Sequence, residues 1–318
     1  MRFGIVGTNW ITDRLIEAGR TVEGFEVTAV YSRTMATADQ FADKHRIDHR
    51  FDDWTAFLTS REFDAVYIAT PNLLHAQQSI DVMNHGKHVL CEKPLTLTVK
   101  QAEEMFQTAR DNDVVLMEAM KSTESEAFKQ LEQWIHDIGT IRRVNFHYNQ
   151  YSSRYDKLKD GIIENAFKPE LGNGSLMDLG VYTIAPLVKL FGVPNTLHAV
   201  AEKLSTGADG QGTVICQYEE MTAVLSFSKI ADSYLPSEII GESGIITIDK
   251  ISAPNHIVKL TRSGEVVEAL THEALPMSYE VANFITACRL KLTNHNERTS
   301  LDTLRVVEAV KKQIGLEF

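Results

Sequence analysis

The run Glu92-Lys93-Pro94 places a carboxylate, an ammonium and a proline directly after a short apolar segment, His88-Val89-Leu90-Cys91. The apolar segment predicts a buried strand, and Pro94 prevents that strand from continuing. Ligands of open parallel sheets bind beyond the carboxyl ends of the strands, so an ammonium there can reach a bound carbonyl oxygen. Lys93 is therefore a candidate for stabilising a reacting oxygen. An ordinary solvated Glu-Lys pair at a strand end is the alternative.

A second candidate site follows the first apolar strand, Phe3–Val6, where Gly7-Thr8-Asn9-Trp10-Ile11-Thr12 opens a predicted helix. A strand, a glycine turn and a helix N-terminus form the context in which dinucleotide-binding folds hold a pyrophosphate. Gly7 matches the first glycine of that fingerprint, whereas Asn9 and Thr12 replace the second and third. Asparagine tolerates left-handed backbone angles, so we expect Asn9 to substitute in part for the second glycine. A purely structural turn is the alternative.

The tip of the second strand, Phe25–Tyr31, bears on the choice of cofactor. Ser32 and Arg33 follow this strand, at the position where NAD sites usually place an acidic residue. A guanidinium can pair with the 2′-phosphate of NADP and stack on adenine. The sequence therefore predicts NADP rather than NAD, and a solvated loop arginine is the alternative.

The elements that position these residues change in character along the chain. Strands and helices alternate over the first 120 residues, and the strands are nearly continuous apolar runs, which predicts a parallel, doubly wound sheet. From Thr196 to Asp249 consecutive strands with short turns predict a mostly antiparallel sheet. Two helices, Tyr279–Arg289 and Ser300–Gly315, close the chain. We expect an α/β protein with a dinucleotide-binding domain over 1–120 and a second α/β domain over 121–318.

Composition limits the classes of partner. The chain has 318 residues, 43% of them hydrophobic, and a net charge of −11 without a basic cluster, which argues against a nucleic-acid partner. Its three cysteines lie far apart in apolar runs, as is typical of reduced thiols in a cytoplasmic protein. We see no metal-ligand spacing, no signal peptide and no apolar run near the roughly 20 residues of a membrane helix. We therefore expect a cytoplasmic protein that binds no metal, nucleic acid or membrane.

Four segments together, Gly4–Thr12, Ala69–His75, Cys91–Leu95 and Gly172–Tyr182, resemble the glucose–fructose oxidoreductase/inositol dehydrogenase/MocA family in order and spacing. The resemblance spans essentially the whole chain. It implies a Rossmann domain, then an α/β domain with a large open sheet, through which many members form homodimers or homotetramers. It also implies a nicotinamide cofactor and a sugar-like or other small carbonyl or hydroxyl substrate. The residues expected to bind the cofactor are Gly7, Thr8, Asn9, Trp10, Ile11, Ser32, Arg33, Thr70, Pro71, Asn72, His75, Glu92 and Lys93.

The resemblance also implies catalytic roles. Lys93 resembles the family lysine that contacts the substrate oxygen and the nicotinamide ribose. Tyr182 resembles the acid/base residue, which is a histidine in many members and a tyrosine in the glucose–fructose oxidoreductase and dimeric dihydrodiol dehydrogenase branches. Asp178, four residues earlier, shares a helix face with Tyr182 and is expected to orient substrate or tune the acid. The alternatives are a helix-dipole carboxylate for Asp178 and a core aromatic for Tyr182.

Hydride transfer to a carbonyl builds negative charge on oxygen, which an ammonium stabilises and a proton donor neutralises. A free tyrosine has a pKa near 10, and a nearby lysine lowers it, which is the physical reason for pairing Lys93 with Tyr182. The prediction is an NAD(P)-dependent oxidoreductase. A non-catalytic nucleotide-binding regulator and a nicotinamide-dependent hydrolase or lyase are the alternatives. The stretch Lys121–Ser125, where the family often has an aromatic residue or arginine and a His-Pro pair, leaves the substrate open.

Overall fold

The computed structural model describes residues 1–272 and 275–317 of the chain. They form two compact units, the first comprising Met1–Ala119 with Leu275–Ser300 and the second Met120–Ala274 with Leu301–Phe318. The first boundary lies next to the predicted one between residues 120 and 121. Residues 275–300, however, belong to the first unit, so one boundary near residue 120 does not separate the two units completely.

Two β-sheets, one in each unit, organise the described residues. The strands are β1 (Arg2–Val6), β2 (Glu26–Tyr31), β3 (His49–Phe51), β4 (Ala65–Ile68), β5 (His88–Glu92), β6 (Leu116–Ala119), β7 (Ile141–Asn149), β8 (Thr196–Lys203), β9 (Asp209–Gln217), β10 (Thr222–Ser228), β11 (Ser237–Gly241), β12 (Gly244–Ile248), β13 (His256–Thr261) and β14 (Val266–Thr271). The first sheet has the order β3-β2-β1-β4-β5-β6 and is parallel throughout. This order, with its reversal beside β1, is that of a dinucleotide-binding Rossmann sheet, whose ligands bind at the carboxyl ends of the strands.

The second sheet has the order β14-β13-β12-β11-β7-β10-β9-β8. Within the described strands, β7 and β10 form a parallel pair and the other neighbouring pairs are antiparallel. The predicted fold class, a doubly wound parallel sheet plus a large, mostly antiparallel open sheet, is therefore confirmed. The apolar pattern of the sequence does not predict β3, because this strand has only three residues and each of them is half-buried.

The helices are α1 (Trp10–Gly19), α2 (Met35–His45), α3 (Trp54–Thr59), α4 (His75–Asn84), α5 (Val99–Asp111), α6 (Lys121–Glu124), α7 (Glu126–Trp134), α8 (Ser153–Lys159), α9 (Val181–Phe191), α10 (Pro276–Leu290) and α11 (Glu297–Ile314). Short 3₁₀ turns lie at Asn72–Leu74, Asn165–Phe167 and Pro169–Leu171, and a π-helix, Leu176–Gly180, runs directly into α9. The π-helix and α9 together form the continuous helical segment that carries the predicted acid/base residue.

The return of α10 to the first unit follows from its apolar face. Met277, Val281 and Phe284 recur at helical spacing and join the buried core cluster of the first unit. The ring of Phe284 lies 5.7 Å from the ring of Phe3 in β1, measured between centroids. Because α10 fills this core, the expected assignment of all of 121–318 to a second domain needs correction at 275–300.

Among the described residues, one helical segment, Pro169–Phe191, is long and apolar enough by length and composition to cross a membrane, and its most apolar window has a mean hydropathy of 1.2. This finding corrects the expectation that no apolar run approaches that length. The sequence does not show an unbroken apolar run here, because Glu170, Asp178 and Lys189 lie within the segment. Since 78% of its most apolar window is buried inside the protein, it has the character of a core helix of the second unit.

Candidate active site

Lys93 follows β5 at the carboxyl edge of the first sheet. Glu92, the last residue of β5, is only 7% exposed, so its carboxylate is buried and the pair is not an ordinary solvated one. Glu92 Oε1 accepts a hydrogen bond from the Tyr67 hydroxyl at 2.6 Å, and Glu92 Oε2 accepts one from the Lys93 backbone N–H at 3.2 Å. Through these two hydrogen bonds, Glu92 holds the backbone of Lys93 where the chain leaves the sheet.

A second buried carboxylate, Glu118, lies next to this strand end and was missed in the sequence. Its Oε1 accepts a hydrogen bond from the Leu95 N–H at 2.8 Å, and its Oε2 accepts one from the Ser300 hydroxyl at 2.6 Å. Burial raises the pKa of Glu118, against the opposing effects of these hydrogen bonds and of the Lys93 charge. The signal in the sequence that could have revealed Glu118 is a glutamate within the apolar strand β6.

The loop after β4, Thr70-Pro71-Asn72, leads into α4, which begins at His75. His75, one of the residues expected to bind the cofactor, is buried. Its Nε2 lies 2.9 Å from the Thr70 carbonyl oxygen and its Nδ1 lies 3.0 Å from the Pro94 carbonyl oxygen. Burial lowers the pKa of His75, and a neutral imidazole has one N–H, so it donates to one of these carbonyls at a time. His75 thus connects the loops that follow β4 and β5.

Position 7, directly after β1, requires a glycine because the backbone of Ala69 lies very close to it. Its φ of +106° lies in the region that side chains rarely adopt, and a Cβ there would lie 2.4 Å from the Ala69 carbonyl oxygen. The first glycine of the predicted fingerprint is therefore explained by the packing of the turn after β1 against the end of β4.

Asn9 does not act as a glycine substitute, and that part of the prediction is wrong. Its backbone is extended (φ −102°, ψ 177°), and its Oδ1 accepts hydrogen bonds from the N–H groups of Ile11 and Thr12 at 3.0 and 3.4 Å. Asn9 is thus the N-cap of α1, a role for which asparagine is among the best residues. Its Nδ2 also donates to the Ala69 carbonyl at 2.7 Å. The N-terminus of α1, where backbone N–H groups and the helix dipole favour an anion, directly follows the turn after β1.

The end of β2 carries the residues that bear on cofactor choice. Ser32 and Arg33 follow Tyr31 directly, and the Arg33 side chain is exposed. Thr34 caps the next helix, α2, by accepting a hydrogen bond from the Thr37 N–H at 3.3 Å. Arg33 therefore lies between the end of β2 and the capped start of α2. NAD sites usually have a carboxylate at this strand end, whereas this chain has a guanidinium. These residues fit the 2′-phosphate of NADP.

The remaining predicted site residues belong to the second unit. Asp178 lies in the π-helix and Tyr182 in the first turn of α9, so the four-residue spacing between them is not that of one regular α-helix. Asp178 has 40% of its side chain exposed and forms an ion pair with Lys229 at 2.5 Å, between Oδ2 and Nζ. Tyr182 is buried, and its ring centroid lies 5.8 Å from that of Tyr148 in an edge-to-face contact.

Lys121, which opens α6, was noted in the sequence as a departure from the family pattern and is a further residue of this region. Its Nζ lies 5.4 Å from the centroid of the Tyr182 ring. A cation at this distance is attracted by the electron-rich face of the ring. The second unit therefore supplies Tyr182 with its own ammonium, which sequence reasoning had sought in Lys93 alone.

Asp209, the first residue of β9, anchors the start of the π-helix and was also missed. Its Oδ2 accepts a hydrogen bond from the Leu176 N–H at 2.6 Å. Burial raises the pKa of Asp209 to about 6, although this hydrogen bond and the charge of Lys229 favour its ionised form. A Cβ on Gly174 would lie 2.0 Å from Asp209 Oδ1, so the glycine is required by the approach of this carboxylate.

Family comparisons match most of the chain. Residues 1–120 match the model of an oxidoreductase family, GFO_IDH_MocA, with an NAD-binding Rossmann fold, and residues 128–247 match the GFO/IDH/MocA C-terminal domain. The scyllo-inositol 2-dehydrogenase (NADP(+)) IolU of Bacillus subtilis is 48% identical over 100% of this chain and 98% of its own length. The D-xylose 1-dehydrogenase (NADP(+)) 2 of Haloferax volcanii is 30% identical over 69% of this chain and 66% of its own length.

Solved structures share the fold. KijD10, a 3-ketoreductase from Actinomadura kijaniata in complex with NADP and TDP-benzene, matches with a TM-score of 0.87 at 24% identity, over 99% of this chain and 98% of that one. An NAD binding oxidoreductase from Klebsiella pneumoniae matches with a TM-score of 0.83 at 20% identity, over 99% and 97%. At these identities the likeness concerns the fold alone.

Proposed function

This chain belongs to the GFO/IDH/MocA oxidoreductase family, and we propose that it uses NADP to oxidise a secondary hydroxyl of a cyclic polyol or sugar, or to reduce the matching ketone. The observation that carries the chemistry is the position of Lys93, at the carboxyl edge of a Rossmann sheet and directed by the buried Glu92. Full-length likeness to an NADP(+)-dependent scyllo-inositol dehydrogenase supports both the cofactor and the polyol class of substrate.

The proposed roles follow from the charges that the reaction creates. The nicotinamide cofactor, when bound, supplies or accepts the hydride. The Lys93 ammonium stabilises negative charge on the reacting oxygen, and the Tyr182 hydroxyl donates a proton to that oxygen or removes one from it. Asp178 orients the substrate by accepting a hydrogen bond from a second hydroxyl. An acceptor-only carboxylate suits a polyol, which offers several O–H donors.

The first unit would hold NADP through two groups of residues. The N-terminus of α1, with the N–H groups of Thr8, Asn9 and Trp10, suits the negative charge of the pyrophosphate. Ser32 and Arg33 at the end of β2 suit the 2′-phosphate. The loop of Thr70, Pro71 and Asn72 follows β4 at the same sheet edge, and we assign it to the cofactor as well.

We expect NADPH to bind more tightly than NADH, and the double variant Ser32→Asp/Arg33→Ala to reverse this order. The variant removes the group that attracts the 2′-phosphate and adds one that repels it. A charge-assisted contact is worth roughly 1.5–3 kcal/mol, or about ten- to a hundredfold in affinity. Fluorescence titration of both cofactors measures the ratio. The control is Arg46→Ala, since Arg46 is the C-cap of the next helix, α2, and should leave the preference unchanged. Equal wild-type affinities would move the assignment to NAD.

We also propose that the protein is a cytoplasmic homodimer or homotetramer built on the open sheet. One face of β10 is buried, whereas Val224 on the other face is only half-buried. Val224 pairs across the strands with Ile215 of β9, which is 46% exposed, and Val200 of the neighbouring strand β8 is exposed as well. An apolar face of this kind is typical of a subunit interface.

Ile215→Asp is expected to shift the protein toward monomers, because a charge at the centre of an apolar interface must lose its hydration on association. Light scattering at micromolar concentration measures the mass of both proteins. Val193→Asp is the matched control, since Val193 is comparably exposed but lies between α9 and β8, off the sheet. A wild-type protein that is already monomeric under these conditions would refute the oligomer.

A further inference from the structure

Lys229, directly after β10, is a buried lysine with only 4% of its side chain exposed. The core-facing positions of β10 are Ala223, Leu225 and Phe227. Lys229 continues this alternation, so its side chain enters the interior of the second unit, where an ammonium is costly to bury unless it is paired. Its Nζ lies 2.5 Å from Asp178 Oδ2 and 5.5 Å from the centroid of the Phe167 ring.

The backbone of Lys229 is fixed on both sides of the side chain. Its N–H donates to the Gly210 carbonyl at 2.8 Å, and its carbonyl accepts from the Ser152 N–H at 2.9 Å. Asp178, in contrast, has 40% of its side chain exposed. The ion pair therefore joins a buried cation, whose backbone is hydrogen-bonded on both sides, to a carboxylate that reaches solvent.

A second carboxylate, Asp209, is also influenced by this cation. The charge of Lys229 favours the ionised form of Asp209, whose pKa burial raises to about 6. Asp209 in turn binds the N–H of Leu176, the first residue of the π-helix in which Asp178 is the third. Lys229 thus acts on the π-helix twice, directly through Asp178 and indirectly through the residue that anchors the helix start.

We propose that Lys229 is a positioning residue, which holds the Asp178 carboxylate in the orientation in which it accepts a hydrogen bond from a substrate hydroxyl. The inference rests on the proposed function, in which Asp178 orients the polyol. Without Lys229 the carboxylate rotates toward water, and the substrate loses a charge-assisted contact. In this proposal both interactions of Lys229, with Asp178 and with Asp209, position the Asp178 carboxylate, and Lys229 takes no part in the chemical step itself.

The test is Lys229→Met, with Lys259→Met as the matched control. Lys259 in β13 is also a buried lysine, with its Nζ 2.6 Å from Asp137 Oδ2 and 5.2 Å from the centroid of the Trp134 ring. Both variants remove a buried ammonium beside an aromatic ring and an aspartate, so both are expected to lower Tm. Only Lys229→Met is expected to lower kcat/KM for the polyol, by about ten- to a hundredfold and chiefly through KM, with NADPH affinity unchanged.

A double-variant cycle separates positioning from a general structural role. If Lys229 acts through Asp178, Lys229→Met lowers kcat/KM in the wild-type background and causes no further loss in an Asp178→Asn background. Lys229→Arg, which keeps the charge, is expected to recover part of the activity. If Lys229→Met does not fold, Lys229→Gln replaces it in the same cycle, with the same expectation.

The role would be overturned by an unchanged kcat/KM in Lys229→Met, by an equal loss in Lys259→Met, or by a full further loss in the Asp178→Asn background. Wild-type turnover on the polyol panel is measured first. Absent wild-type turnover counts against the proposed function, whereas an active wild type with an equally active Lys229→Met counts against the role of Lys229. The two failures are thereby distinguished.

Discussion

Replacing Lys93 by alanine is expected to lower kcat by about 10²–10³, because removal of one preorganised donor to a developing oxyanion typically has an effect of this size. Lys93 stands at the carboxyl edge of the first sheet, and its backbone N–H is bound by the buried Glu92. The hydrogen bonds from Tyr67 to Glu92 and from Leu95 to Glu118 do not involve the Lys93 side chain. The variant is therefore expected to keep the wild-type Tm and to bind NADPH.

The chain offers a matched control for this experiment. Lys87 immediately precedes β5, and Lys93 immediately follows it, so the two lysines lie at opposite ends of one strand. Lys87 is buried and its Nζ lies 5.1 Å from the centroid of the Phe63 ring. Lys87→Ala is expected to leave kcat unchanged, whatever it does to Tm. Equal kcat values for wild type and Lys93→Ala would show that the ammonium at the carboxyl edge does not contribute to the chemistry.

Tyr182→Phe is expected to lower kcat by about 10²–10⁴, the usual contribution of a positioned acid or base. The substitution removes only the hydroxyl, so the ring keeps its contacts in the cluster that also contains Met120 and Ala185. Tm should therefore change little. The dependence of kcat on pH that reflects the phenol should disappear, because phenylalanine does not titrate over this range. Steady-state kinetics across pH, together with thermal unfolding, measures both effects.

Tyr148 provides the control for Tyr182, because it belongs to the same aromatic contact. Its hydroxyl donates to Gln150 Oε1 at 3.0 Å, so Tyr148→Phe also removes one hydroxyl from one side of the ring pair. Little change in kcat is expected for that variant. If Tyr182→Phe had wild-type activity and an unaltered pH profile, Tyr182 would be a core aromatic without a catalytic role.

Much of the fold was predictable from the sequence because parallel strands bury both faces and appear as apolar runs. The same reasoning located Lys93 and Arg33, since both follow such runs and the carboxyl ends of parallel strands meet at one edge. The helix α10 could not be assigned to its unit in this way. Its apolar face is visible in the sequence, but the partner of that face, the core around Phe3, is hundreds of residues distant along the chain.

The site residues that the sequence did not reveal owe their roles to contacts between distant segments. Glu118 and Asp209 are defined by the backbone N–H groups that they accept from, and those groups belong to other elements. The sequence does contain one indication of the role of Lys229, because this lysine continues the alternation of buried residues in β10. Asn9 was assigned the wrong backbone conformation because the fingerprint calls for glycine there, whereas its side chain caps α1.

The most direct test of the account is the transfer of deuterium from a deuterated polyol carbon to NADP. The wild-type protein is incubated with NADP and with a panel of cyclic polyols and sugars carrying deuterium at the carbinol carbons, scyllo-inositol among them. Mass spectrometry of the reduced cofactor then reports whether the label has moved. We predict NADPH that carries one deuterium per molecule, formed with the matching ketone, and at least a hundredfold less of it with Lys93→Ala. A polyol converted without labelled NADPH, or no labelled NADPH from any member of the panel, would contradict the account.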